Sequence, residues 1–181
     1  MPARRFALAV QVLAFLPTIA APQDKGLQRQ IELPAHEALR TVREAQDATL
    51  SPFDTDGCSG GLSDAWRLIA NTFPAFSDIH EAIPPWEGCC VTHDRAYHTG
   101  GADPVPEASY AARLTADIAL EACVISEGDS RAETGFYDAE PEDVRWAYNG
   151  VARLMYLSVR AGGGPCTGLP WRWGFGYEQC W

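Results

Sequence analysis

Two adjacent cysteines, Cys89 and Cys90, stand directly before His93, Asp94 and Tyr97, and this spacing limits the fold more than any other feature. On a helix, residues four apart share a face. Cys89, His93 and Tyr97 then form one stripe, and Cys90 and Asp94 form its neighbour. If both cysteines are bridged, the helix is tied down from two sides and its histidine and carboxylate project from a rigid platform. The chain has 6 cysteines (Cys58, Cys89, Cys90, Cys123, Cys166 and Cys180). In an exported protein an even count implies three disulfides, and the sequence alone does not choose among the possible connectivities.

Export is the expectation from the N-terminus. Arg4 and Arg5 precede an apolar run from Phe6 to Ala21, and Thr18-Ile19-Ala20 offers small residues for cleavage, so residues 1–20 read as a signal peptide. The alternative is an uncleaved anchor, but the run is shorter than the roughly 20 residues a spanning helix needs, and Gln11 and Pro17 interrupt it. Residues 21–181 are enough for one domain with a real core. The expected location is secreted or periplasmic. The net charge of −10 becomes more negative once the two arginines are lost. An acidic chain without a basic run is a poor partner for nucleic acid, whose phosphates need neutralising. For the same reason, net charge alone gives no strong attraction to anionic lipid.

The rest of the chain reads as mainly helical. Helices are expected over 34–48, with Pro34 near the start; 64–72, capped by Ser63 and ended by Pro74; 87–98, ended by Gly100-Gly101; and 106–126, started by Pro106. Another starts at Pro141, with Val144, Tyr148, Val151, Met155 and Ser158 as its buried stripe, and Gly162-Gly163-Gly164 breaks it. The stretch from Pro170 to Tyr177 is expected to form a short hairpin or an ordered loop. Its aromatics suit core and turn packing better than membrane anchoring.

The run from Cys89 to Tyr97 resembles the active-site helix of secreted phospholipase A2, Cys-Cys-x-x-His-Asp-x-Cys-Tyr, with Ala96 in place of the third cysteine. Asp56-Gly57-Cys58-Ser59-Gly60-Gly61 is similar to that family's calcium loop, although Gly57 replaces an aromatic and Ser59 a glycine. Asp117, six residues before Cys123, matches the family's second aspartate. Ala116 stands where the partner of the missing cysteine would be, so both halves of one bridge are absent together. The resemblance implies bridges Cys58–Cys90 and Cys89–Cys123, which leaves Cys166–Cys180. It implies a disulfide-linked antiparallel helix pair of phospholipase A2 type with a glycine-rich calcium loop, extra helices and the aromatic C-terminal loop or hairpin. The segment between Cys58 and Cys89, with Trp66, Phe73 and Phe76, is longer than in compact members and is expected to add a helix or a lid. The part after Asp138 has no counterpart.

The chemistry follows. Water is a weak nucleophile at neutral pH, and a histidine such as His93 can remove its proton during attack. The resemblance makes Asp117 the residue that fixes its tautomer, and Tyr97 a structural hydrogen-bond partner of that aspartate. A calcium ion, Ca2+, would be held by Asp94 and the backbone carbonyls of Gly57, Ser59 and Gly61, oxygen ligands of the type calcium takes. It would stabilise the charge developing on an attacked ester. The implied reaction is hydrolysis of the sn-2 ester of glycerophospholipids at a membrane surface or micelle. Simpler readings are a surface histidine, an Asp117 that only pairs with Arg113, and an Asp56-Gly57 turn. An EF-hand beginning at Asp54 fails, because its twelfth position is Ala65. Zinc on Cys89, Cys90, His93 and His98 competes with disulfide formation, and no Gly-x-Ser-x-Gly elbow is present. The alternatives in another class are a non-catalytic lipid- or protein-binding protein on the same scaffold, and a disulfide-stapled protein that uses calcium only for stability.

Overall fold

The computed structural model describes residues 25–58 and 62–181. The expected signal peptide, and Ser59, Gly60 and Gly61 of the glycine loop, lie outside the described residues. Among those described there are six helices and no strand: α1 (Lys25–Arg43), α2 (Leu62–Thr72), α3 (Pro74–His80), α4 (Glu87–Thr99), α5 (Pro106–Thr134) and α6 (Pro141–Gly162).

Helix α1 starts earlier and ends earlier than the sequence suggests. It runs through Pro34, because the proline sits on the exposed side and its missing N–H is lost to solvent rather than to the core. The face spaced by four and then three residues, Glu32, His36 and Leu39, holds it against the body, with His36 and Leu39 buried. Ser63 does not cap α2. It lies inside the helix, and its hydroxyl accepts from Cys58 N–H at 2.8 Å. Beyond Pro74 the chain turns into α3, the extra helix. Leu62 is the only described residue between Cys58 and Cys89 to line the cavity beside His93, so the described part of this segment does not cover it.

Helix α4 ends where Gly100 takes a left-handed conformation, φ 68°. Arg43 then donates to the carbonyls of Gly100 at 2.8 Å and Gly101 at 2.9 Å. Helix α5 passes the expected end at Ser126 and stops at the left-handed Gly135. The extension packs on α6, and the two form the most extensive helix pair among the described residues. Gly128 makes this possible, since a Cβ there would lie 2.3 Å from the Tyr148 Cβ. Cys89 meets Cys123, His93 meets Asp117 and Tyr97 meets Arg113, so partner numbers fall as α4 numbers rise and the two helices run antiparallel.

The three disulfides are Cys58–Cys90, Cys89–Cys123 and Cys166–Cys180. They fit an oxidising compartment. No helix among the described residues is long and apolar enough to cross a membrane. The C-terminal aromatics form an ordered loop, not a hairpin. Trp173 is buried and its indole N–H donates to Ser109 Oγ at 2.9 Å. The loop backbone caps the end of α4, with Gly174 N–H to Tyr97 O at 2.6 Å and Gly176 N–H to His98 O at 3.0 Å.

Candidate active site

The stripe Cys89, His93, Tyr97 faces α5, as the four-residue spacing requires. His93 Nε2 lies 2.9 Å from Asp117 Oδ1. The same oxygen accepts from Tyr97 OH at 2.6 Å. The other oxygen, Oδ2, accepts from Arg160 Nη1 at 2.8 Å. A carboxylate that accepts from every side requires the proton on Nε2 of a neutral His93, which leaves Nδ1 as a bare lone pair. The ring also packs against Tyr97, with centroids 4.0 Å apart and planes tilted by 35°. Burial lowers the pKa of His93, but Asp117 and Asp94 outweigh it and leave the pKa raised. Asp94 acts through its charge, since its Oδ1 is 3.8 Å from Nδ1 and beyond hydrogen-bond reach.

Behind Asp117 lies a buried ionic cluster. Arg113 Nε donates to Tyr97 OH at 3.1 Å, so the phenol links Arg113 to Asp117. Burial pushes the Tyr97 phenol well up, which keeps it a donor. Glu32 on α1 accepts from Arg113 and, at 2.9 Å, from Arg160. Burial alone would raise its pKa, but His36 and the two guanidinium groups bring it down to about 2. Two cations and two carboxylates therefore offset each other around one phenol, and each has hydrogen bonds, as a buried charge needs. Arg113, expected to pair with Asp117 at i+4, does so loosely, with Nε 4.0 Å from Asp117 Oδ2, and also binds Tyr97 and Glu32.

Asp94 faces the other way. Thr55 Oγ1 donates to Asp94 Oδ2 at 2.6 Å and accepts from Gly57 N–H at 3.1 Å. With the Cys58–Cys90 bridge, this holds the start of the glycine loop against α4. Gly57 is left-handed at φ 84°, so a glycine suits the turn. Asp94 borders two cavities. One, of about 310 Å³, is mostly apolar, with Leu62, Leu120, Leu154, Met155 and Val159 in its wall and His93 and Asp94 at its polar end. The other, of about 300 Å³, is lined by Asp54, Thr55, Asp56 and Asp94, with Pro170, Trp171 and Phe175.

The second cavity offers only hard oxygen donors, the set calcium prefers. Of the four expected ligands, Gly57 and Asp94 are described and lie close together, whereas Ser59 and Gly61 fall outside the described residues. Among the described residues no group of three or more His, Cys, Asp or Glu is placed to hold a metal. A cage of one carboxylate and backbone carbonyls has a different composition, so this does not count against it. Zinc loses its thiolates, because Cys89 and Cys90 are both in disulfides, and His98 Nε2 is 2.9 Å from the Ser51 carbonyl.

Two site residues carried no sequence signal strong enough to find them. Thr55 could have been read as the start of a Thr-x-Gly turn, which its bond to Gly57 N–H forms. Arg160 could not, since it reaches Asp117 from a helix that starts well downstream. No protein-family model, no curated protein and no solved structure matches this chain.

Proposed function

We propose that this protein is a calcium-dependent, phospholipase A2-like hydrolase that cleaves the sn-2 ester of glycerophospholipids, releasing a fatty acid and a lysophospholipid. The observation that carries the reading is the His93–Asp117 pair, with Nδ1 unbonded, beside Asp94 at the polar end of an apolar cavity. That cavity suits an acyl chain, and the acidic one suits a hard cation next to the ester.

His93 takes a proton from water at Nδ1 as the water oxygen bonds to the ester carbon. Asp117 holds Nε2–H and stabilises the imidazolium that forms, as a buried carboxylate does in other histidine-based hydrolases. When the carbon–oxygen bond to the glycerol breaks, Nδ1 returns the proton to the leaving oxygen. No covalent enzyme intermediate is needed. Calcium bound by Asp94 and the carbonyls of Gly57, Ser59 and Gly61 would supply Lewis-acid stabilisation of the oxyanion. The cavity walls exclude water from the acyl chain and orient the ester.

The test is fatty-acid release from mixed phosphatidylcholine and phosphatidylglycerol vesicles by the mature chain and by His93→Gln. Release that disappears with chelator and in the variant is the expected result. Release that persists in His93→Gln would remove His93 as the base. No release from a folded, fully disulfide-bonded chain would shift the weight to the non-catalytic binding role.

A further inference from the structure

A larger cavity lies apart from the one beside His93. It measures about 490 Å³ and shares no lining residue with the His93 cavity. Five aromatic side chains line it: Trp66 on α2, His80 on α3, Trp86 before α4, Tyr137 in the α5–α6 loop and Tyr148 on α6.

These five close into a ring. Trp66 meets Trp86 at 5.4 Å and Trp86 meets Tyr148 at 5.5 Å, both nearly edge to face. The hydroxyls of Tyr148 and Tyr137 are 3.1 Å apart. Tyr137 meets His80 at 5.5 Å, and His80 returns to Trp66 at 6.2 Å. Three of these contacts are near-perpendicular, while His80 and Tyr137 are tilted by 42°. The cavity they line, about 490 Å³, has room for a cation within the ~6 Å over which a ring face attracts it.

Charge points the same way. Asp138 and Asp143 also line this cavity, both are exposed, and no Lys or Arg lines it. No ion pair among the described residues engages either one. The Arg131 guanidinium sits 6.0 Å from the Tyr137 ring centroid and is matched by Glu127 at 2.7 Å and Glu81 at 2.8 Å. Trp86 is more than nine-tenths buried, yet its Nε1 has no hydrogen-bond partner. That nitrogen is itself covered by protein, so Trp86 offers the cavity its ring and not its N–H.

We propose that this ring is a binding site for a quaternary ammonium group of the choline type, independent of the His93 site. The aromatic rings that line the cavity take the methylated cation, and the two aspartates attract it. The volume lies in the range of small-ligand pockets.

The test uses the full mature chain with calcium chelated, so that no turnover intervenes and a failure of the hydrolase reading leaves the result intact. The indole N–H signals of Trp66 and Trp86 are followed by NMR. Choline chloride is titrated against 3,3-dimethylbutan-1-ol, its uncharged carbon isostere. Phosphatidylcholine vesicles are compared with phosphatidylglycerol vesicles. Saturable shifts of both indoles are expected, with choline bound at least about tenfold tighter than the isostere. Asp138→Asn with Asp143→Asn, two exposed changes that leave the core intact, should weaken choline about threefold or more, and Trp66→Leu should remove the response. Saturation by free choline identifies a small soluble cation as the ligand, whereas a response to phosphatidylcholine vesicles alone identifies a lipid headgroup. Equal binding of the uncharged alcohol, or no saturable shift with either source, overturns the proposal.

Discussion

Arg160 Nη1 donates to Asp117 Oδ2 at 2.8 Å, while its Nη2 donates to Glu32 Oε1 at 2.9 Å. One guanidinium thus joins α6, α5 and α1 behind His93. The fork geometry matters, because a lysine presents one point charge and cannot reach both carboxylates with the same orientation. Arg160→Met should lower stability by about 3 kcal/mol, since removing one member of a buried ionic cluster leaves the others uncompensated. Arg160→Lys should recover part of that loss. Under the proposed mechanism, both variants should lower kcat more than they raise KM, because Asp117 loses its anchor while the apolar cavity is untouched. Denaturant midpoints and vesicle kinetics check the two halves separately, and wild-type kcat in a destabilised Arg160→Met would restrict Arg160 to a structural role.

Glu32 gives the chain a defined acid sensitivity. Its pKa is about 2 in the folded protein, against about 4.3 in an unfolded chain. A lowered folded value means that the ionised form stabilises the fold above the unfolded pKa, and that this contribution fades as pH falls through the interval toward the folded one. The stability gap between wild type and Glu32→Gln should therefore be widest above about pH 4.5 and should narrow toward pH 2. Thermal melts across this range measure it. Parallel curves would mean that the carboxylate is not what Arg113 and Arg160 rely on.

The glycines of the α5–α6 pair separate packing from propensity. A Cβ at Gly128 would run into Tyr148, while one at Gly150 meets nothing within 4 Å. Gly128→Ala should cost about 1–3 kcal/mol through overpacking. Gly150→Ala, exposed inside α6, should gain about 0.5–1 kcal/mol through helix propensity. Opposite signs for the same substitution are the outcome to look for in the denaturation midpoints. Two losses would mean that α6 packs at Gly150 as well.

What the sequence disclosed follows distance along the chain. The stripe Cys89, His93, Tyr97 was legible because a helix converts a spacing of four into a shared face. Pro106, Pro141 and Gly100 mark helix ends by local backbone chemistry, and they do so in the structure. The start of α1 was missed because Pro34 usually opens a helix, and only the buried side of α1 reveals that it can sit inside one. The extension of α5 past Ser126 depends on Gly128 meeting Tyr148, a tertiary contact with no local signature. The charges behind Asp117 come from three helices, so no window of sequence contains them. The ring of Trp66, His80, Trp86, Tyr137 and Tyr148 is scattered in the same way.

Tyr97 and Asp117 share one hydrogen bond but should respond differently when changed. Tyr97→Phe removes a hydroxyl that donates to Asp117 at 2.6 Å and accepts from Arg113 at 3.1 Å. The Arg113 donor is then left unpaired in the core, a loss of about 1–3 kcal/mol. Asp117 keeps its bonds to His93 and Arg160, so hydrolysis should fall by less than about tenfold. Asp117→Asn is nearly isosteric, but its amide loses the charge that stabilises the imidazolium and can present N–H where His93 needs an acceptor. Loss of the correct tautomer costs ~10⁴ in the best-studied triad, so a fall of about 100-fold or more is expected here. The proton positions on His93 can be read from its imidazole nitrogen shifts, which should keep Nε2–H in Tyr97→Phe and lose that preference in Asp117→Asn. Equal losses of activity in the two variants would mean that Asp117 serves the fold and not the histidine.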